Sequence, residues 1–225
     1  MPPRPIGGDN NQIPSHMRVA LMGIFDFLLG RSATDVEVLS DKIWMSQRSK
    51  LNGIRREIGE RSRASSAATI LVAHFQNVLE ELNVVAAENP WNVPVTATLA
   101  TNLSTEIASR LNLDETATID LVVAERHPIV AEDDKVVQFA KGLPCKCRMA
   151  YHVSLEDPVL KQFSGEWVTG VLKNLGMTDE ESLESPQVSR RLRGAQKKIE
   201  ETATGNQHAN SAAEWMRLNM SPGAK

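Results

Sequence analysis

The chain has 225 residues, of which 41% are hydrophobic and 24% are charged, and its formal net charge is -3. This composition is ordinary for a globular protein and excludes wholesale disorder. It also argues against a nucleic-acid partner, because domains that bind nucleic acid normally carry a net basic charge or a concentrated basic face. The length is sufficient for one domain with an appendage or for two small domains.

The first residues carry no secretory signal. Residues 1–15 are rich in proline, glycine and asparagine and are predicted to form a disordered leader. The apolar run at 19–29 is too short to span a bilayer and contains Asp26, so no integral membrane segment is predicted. Cys145 and Cys147 are too few and too close together for a disulfide framework. These features together predict a cytoplasmic protein.

Two helices are predicted before the first long apolar strand. Ser15 stands at an N-cap position, and the apolar residues after it recur at helical spacing until Gly30. A longer helix is predicted from Thr34 to the turn at 61–66. Residues 16–66 are therefore assigned to N-terminal helices. The apolar face of the longer helix would comprise Val38, Leu39, Ile43, Trp44, Leu51, Ile54 and Ile58.

From Thr69 onward, short apolar runs alternate with helical segments. Strands are predicted at 70–75, 93–100, 118–124 and 147–154, and helices at 76–87, 104–111 and 132–141. Alternation of this kind, with continuously apolar strands, is typical of a largely parallel sheet covered on both faces. Residues 67–157 are thus predicted to form a three-layer α/β domain.

No strand pattern is found beyond Pro158, and residues 158–220 are assigned to a helical segment. Helices are predicted at 159–163, 165–175, 180–183, 186–202 and 212–219. The cations of the long helix are followed directly by Glu200 and Glu201, a pattern that favours a solvated helix face.

Two landmarks of the α/β region carry a family resemblance. An apolar strand ends in Glu125-Arg126-His127, and a later strand runs into Ser154-Leu155-Glu156-Asp157. In this order the chain resembles the second ATPase lobe of SecA, the motor of bacterial protein export. Segments 41–44 and 69–73 are similar to the entry and first strand of that lobe, and 172–200 to the start of the SecA helical scaffold. The resemblance implies a RecA/helicase-like α/β domain and a role related to export.

The chain departs from this family where the chemistry would occur. No phosphate-binding loop of the pattern Gly-x-x-x-x-Gly-Lys-Ser/Thr is found, and in SecA that loop belongs to the first lobe. Val137 and Phe139 stand where the family carries arginines. After Ala100-Thr101-Asn102 the expected Gly-Arg-Gly is replaced by a segment containing Glu106, which would repel phosphate. The predictions are therefore no bound cofactor and no enzymatic activity.

Glu125, Arg126 and His127 remain candidates because they end a predicted parallel strand, where α/β ligand sites form. One interpretation is a residual ligand or interdomain contact. The other, which we favour, is an ion pair between Arg126 and Glu125 that fixes the strand end, with His127 turned by Pro128. His74 is the other histidine predicted at a strand end.

The cysteines were considered as metal ligands. Strand alternation places Cys145, Cys147, Met149 and Tyr151 on one face and His152 on the other. Structural zinc needs four ligands, so two cysteines without a second cluster favour buried thiols and no metal.

Apolar stripes on the terminal helices favour docking on another protein or self-association. The predicted contact residues are Trp167, Leu172, Trp215 and Leu218. The first hypothesis is a non-enzymatic interaction or regulatory module that acts on a SecA motor or an export client. The alternative is the ATP-binding half of a split motor whose partner chain supplies the phosphate loop. A nucleic-acid-binding relic of the helicase architecture is disfavoured by the acidic balance.

Overall fold

A largely parallel β-sheet organises the part of the chain that the computed structural model describes, which is residues 36–88, 91–164, 170, 172, 177–178 and 180–221. The predicted leader, the predicted helix after Ser15, most of the predicted helix at 165–175 and Trp167 lie outside these residues. Within the described ranges, no helix is long and apolar enough to cross a membrane.

Seven strands pair in the described residues. They are Val36–Val38 (β1), Lys42–Trp44 (β2), Ala68–Ala73 (β3), Val95–Leu99 (β4), Thr118–Val123 (β5), Lys146–Ser154 (β6) and Leu183–Glu184 (β7). The order is β4-β3-β5-β6-β2-β7, and β1 also pairs with β6. The β2–β7 pair is antiparallel and the others are parallel. The predicted α/β architecture with a largely parallel sheet is confirmed.

The prediction of a helix starting at Thr34 is wrong, because residues 36–44 form two short strands. β1 pairs with the first half of β6 and β2 with its second half, so together they make one interrupted strand beside β6, with Asp41 in the break. Val36, Val38 and Ile43 are β-branched, which suits a pleated sheet. The spacing of Val38, Leu39, Ile43 and Trp44 also fits a helical face, but the pairing of this segment with β6 makes it a strand.

Seven α-helices cover the sheet in the described residues. They are Gln47–Ala64 (α1), Gln76–Ala87 (α2), Glu106–Arg110 (α3), Val130–Lys141 (α4), Pro158–Ser164 (α5), Pro186–Thr202 (α6) and Ala212–Asn219 (α7). The predicted helices at 76–87, 186–202 and 212–219 are confirmed. The predicted helix at 180–183 is wrong, since Leu183 pairs with Ile43 as part of β7.

Helix α1 begins at a clear capping signal and packs closely on β2. The Ser46 hydroxyl accepts a hydrogen bond from the Ser49 backbone N–H at 3.1 Å, which caps one of the free donors of the first turn. One turn further on, the indole ring of Trp44 lies directly against Gly53, where a methyl group would overlap it. Gly53 therefore lets the helix approach the buried ring.

Three apolar clusters form the core. The first lies between one sheet face and the helices α3 and α4, and includes Ile70, Leu121 and Val136. The second face packs against α1 and α2, with Ile54 and Leu82 at its centre. The third cluster lies at the carboxyl edge of the sheet, where α5, α6 and α7 converge. Helices on both faces complete the three layers, and the third cluster covers the strand ends.

Candidate functional site

The carboxyl ends of β3 and β5 meet where the direction of the strand order changes. β3 continues outward to β4, whereas the next strand, β5, lies on the other side of β3. In open α/β sheets, ligands bind in the crevice at such a switch point. His74 and Phe75 follow β3, and Glu125, Arg126 and His127 follow β5. The candidates chosen from the sequence thus lie at the edge where a ligand site would be expected.

Glu125 bridges this switch point. One oxygen of its carboxylate accepts hydrogen bonds from the backbone N–H groups of His74 at 2.9 Å and Phe75 at 3.0 Å. These groups precede α2, and N–H groups at the start of a helix after a strand are those that hold phosphates in many α/β proteins. Glu125 is buried. The acceptor at this helix start is therefore a side chain of the protein itself.

Burial has a measurable consequence at Glu125. It raises the pKa of this carboxyl to about 7, and the nearby His74 and Lys50 offset only part of the rise. A folded-state pKa above the unfolded value means that the folded protein holds the proton more tightly than the unfolded chain does. The free energy of unfolding should therefore decrease as the pH rises from about 4.5 to about 7.

Glu125→Gln should remove this part of the pH dependence. Glutamine keeps an oxygen that can accept the two backbone hydrogen bonds but does not ionise. We expect the variant to gain stability relative to the wild type between about pH 5 and about pH 8, on the order of 3 kcal/mol. Urea unfolding at both pH values measures this difference. An identical pH dependence in the two proteins would contradict the assignment.

Arg126 does not pair with Glu125, so the predicted Arg126–Glu125 ion pair is wrong. Its guanidinium instead donates to Asp133 at 3.0 Å and to Asp41, and it lies 3.4 Å from the centre of the Tyr151 ring. Only 8% of the residue is exposed. Both carboxylates come from outside the strand end, one from the β1–β2 break and one from α4, so sequence proximity pointed to the wrong partner.

Asp133 is the centre of this buried cluster. Besides Arg126, it accepts hydrogen bonds from the His127 backbone N–H at 3.1 Å and the Gln196 side chain at 2.7 Å. His74 Nε2 lies 2.8 Å from Oδ1 of Asp133, the oxygen that also accepts from the His127 N–H. Burial raises the pKa of Asp133, but these contacts outweigh burial and lower it to about 2. A charged Asp133 therefore ties β3, β5, α4 and α6 together.

His127 is held as a neutral ring inside the protein. Burial is the main cause that lowers its pKa, to about 3. Its Nδ1 accepts a hydrogen bond from the Ile129 backbone N–H at 3.0 Å, which leaves the ring proton on Nε2. The ring stacks on Phe75 and meets the edge of Trp215 on α7. The third strand-end candidate is thus covered by the last helix.

A second buried ion pair lies beside Glu125. Lys50 on α1 donates to Asp157, which directly follows β6, at 3.1 Å, and the lysine side chain is fully buried. Asp157 also accepts from the backbone N–H of Ser154 at 2.8 Å and from the Gln47 side chain at 2.6 Å. The sequence gives no sign that these two residues meet, because they are 107 positions apart. An aspartate before proline at a strand end was the available signal for Asp157.

The positions where the resemblance expects arginines face the core. Val137 and Phe139 on α4 are half-buried and pack against the first apolar cluster. Glu106, in place of the expected Gly-Arg-Gly, is exposed at the start of α3. These three residues offer no donor to a phosphate.

The two cysteines lie in the first apolar cluster. Cys145, Cys147, Met149 and Tyr151 share one face of the sheet, as strand alternation predicts, and both thiols are free and buried. Burial raises the pKa of Cys147 to about 12. Within the described ranges, no group of three or more His, Cys, Asp or Glu side chains is arranged to hold a metal ion.

The residues predicted to contact a partner are less accessible than expected. Trp215 is 1% exposed, because it packs against His127 and into the third cluster, so it offers no free surface. Leu172 and Leu218 are half-buried at the border of the same cluster. Trp167 lies outside the described residues. The apolar stripe on α7 thus serves the core of the chain.

Sheet order, helical layers and a strand-end site at the switch point define an α/β protein with a largely parallel sheet. Within that class, part of the chain is similar to the protein translocase subunit SecA. It is 33% identical to SecA of Clostridium novyi over 108 residues, which is 46% of this chain and 13% of that protein. It is 37% identical to SecA of Symbiobacterium thermophilum over 82 residues, which is 36% of this chain and 9% of that protein.

The similarity therefore covers only a small part of the length of these SecA proteins. No family model matches the chain. Among solved structures, the chain is similar to the C-terminal part of the Fun30 ATPase domain, with a TM-score of 0.33, 11% sequence identity, and coverage of 68% of this chain and 54% of that one.

Proposed function

We propose that the protein is a non-enzymatic, SecA-related module of protein export that acts by binding another protein. One observation carries the proposal: Glu125 occupies the backbone donors at the switch point between β3 and β5. A nucleotide phosphate at this helix start would have to displace a buried carboxyl group that already accepts from both donors, and displacement would leave that polar group buried without its hydrogen-bond partners.

The buried cations of the edge support the same conclusion. Arg126 is paired with Asp41 and Asp133, and Lys50 is paired with Asp157. Stabilising a transferred phosphoryl group requires cations directed at the site where charge develops. Here both are directed at carboxylates of the protein, and the positions of the expected arginines carry Val137 and Phe139. At this edge of the sheet the cations therefore hold elements of the chain together.

The similarity to SecA supports the connection with export. A chain that keeps part of the motor fold without its chemistry can act on a SecA motor, on an export client or on a second copy of itself. We place this activity in the cytoplasm, the location that the sequence predicts. The competing function is a partner-dependent ATPase, in which a second chain supplies the phosphate loop.

Calorimetric titration with ATP and ADP separates these functions. With the full chain we expect no saturable heat up to about 1 mM nucleotide, with or without magnesium and with or without an added SecA motor. The motor alone, titrated under the same conditions, is the positive control. Binding below about 100 μM that requires the added motor would support the split-ATPase function and contradict ours.

A further inference from the structure

The outer face of α6 carries four exposed cations. Arg190, Arg191, Lys197 and Lys198 are exposed, whereas Leu192, Ala195, Gln196 and Ile199 on the opposite side are buried. Among the described residues, the ion pair that α6 makes is Arg193 with Asp134, at the flank of this face. One carboxylate, Glu201, belongs to the exposed face at its last turn. Within the described residues, this face therefore keeps a net positive charge.

Gly194 lies at the centre of this basic face. The two pairs of cations, 190/191 and 197/198, are separated by two helical turns, about 10 Å, and Gly194 lies between them on the same side. Glycine in the interior of a helix costs stability relative to alanine. A methyl group at Gly194 would meet nothing within 4 Å, so packing inside the protein does not require glycine here. At Gly53, by contrast, Trp44 requires it.

We infer that this face binds an acidic segment of a partner protein, whose backbone passes over Gly194 between the two pairs of cations. The inference rests on the proposed function, because it names the surface through which the interaction module would act. A missing side chain allows close approach of another backbone, and flanking cations match carboxylates spaced along a helix or an extended peptide.

Charge distribution favours a protein over a long polyanion. The chain has a formal net charge of -3. Because the face on α6 is basic, the rest of the chain carries a more negative net charge than this. A nucleic acid that extends beyond one helix face would meet that acidic surface. The face also carries no large apolar side chain that could enter a lipid surface. A short acidic segment fits within the row of cations.

Fluorescence anisotropy with labelled peptides tests the inference on the full chain. The probe is a Glu/Ala peptide with glutamates four residues apart, and a Lys/Ala peptide of equal length is its negative control. We expect micromolar binding of the acidic peptide that weakens as salt is added. Arg191→Glu/Lys198→Glu should reduce its affinity at least about tenfold. Arg110→Glu/Lys161→Glu, which reverses two exposed cations elsewhere, should change it less than about twofold.

Gly194 provides a test that charge alone cannot explain. Gly194→Gln adds a neutral side chain and should weaken the peptide about as much as the double charge reversal, and Gly194→Ala should weaken it by a smaller factor, in keeping with the smaller side chain. Equal loss in the Arg110/Lys161 control, or unchanged affinity in Gly194→Gln, would overturn the inference. So would tighter binding of a single-stranded oligonucleotide or of phosphatidylglycerol vesicles. Failure of the proposed function would appear separately, as nucleotide binding in calorimetry.

Discussion

Gly53→Ala should destabilise the protein by about 3 kcal/mol, opposite in sign to the usual effect of this substitution in a helix. Glycine to alanine within an exposed helix normally adds up to about 1 kcal/mol, because alanine has the higher helix propensity. At Gly53 the new methyl group would overlap the ring of Trp44. That ring is 2% exposed, and its Nε1 donates to His152 Nδ1 at 3.2 Å, so it cannot move aside without breaking a buried hydrogen bond.

Gly194→Ala on α6 is the matched control, and it should stabilise the protein by up to about 1 kcal/mol. Chemical denaturation of both variants, with the slope checked for constancy, gives the two differences. Combining Gly53→Ala with Trp44→Leu should cost less stability than the sum of the two single substitutions, because the smaller side chain makes room for the methyl group. Equal stabilisation at both glycines would mean that Trp44 does not pack on Gly53.

The second large effect is expected at Arg126. Arg126→Met keeps most of the side-chain volume but leaves the buried carboxylates of Asp41 and Asp133 without their common cation. Breaking a buried ion pair from one side typically costs about 3–5 kcal/mol. Because burial already raises the pKa of Asp41 despite the cation, we expect Asp41 to take up a proton at higher pH in the variant.

Arg193→Met is the control for Arg126→Met. Arg193 also pairs with a carboxylate, Asp134 at 2.6 Å, but both side chains are largely exposed. Surface pairs of this kind contribute less than about 1 kcal/mol. Thermal and urea unfolding of the two variants should therefore differ severalfold in their effect. A loss at Arg126 no greater than that at Arg193 would show that the cluster does not stabilise the fold.

Local sequence patterns were sufficient to predict the helices and strands that bury one regular apolar face. The helices at 76–87 and 186–202 have regular apolar spacing, and the second begins at Pro186, which suits the first turn. β3 and most of β5 are apolar and buried, as parallel strands covered on both faces are. Their order also placed Glu125, Arg126 and His127 at the carboxyl edge.

Partners distant in the sequence could not be predicted in this way. β1, β2 and β7 contain only two or three residues each, and pairing across the sheet overrides their helical spacing. The contacts of Arg126 with Asp41 and of Lys50 with Asp157 join residues about 85 and 107 positions apart. Proximity in the sequence predicted Glu125 as the partner of Arg126. In the structure the Glu125 carboxyl group instead accepts from the backbone N–H groups of His74 and Phe75, which follow β3.

The interrupted strand that β1 and β2 form also constrains the order in which the chain can fold. β1 and β2 are made early, yet their pairing partner β6 follows much later, and Trp44 and His152 are 108 positions apart. Until β6 leaves the ribosome, residues 36–44 have no parallel strand to pair with, although Trp44 can already pack on Gly53. Contacts this distant in sequence form slowly and leave strand edges open to other chains. Pairing of residues 36–44 with β6 is therefore expected to be a late step of folding.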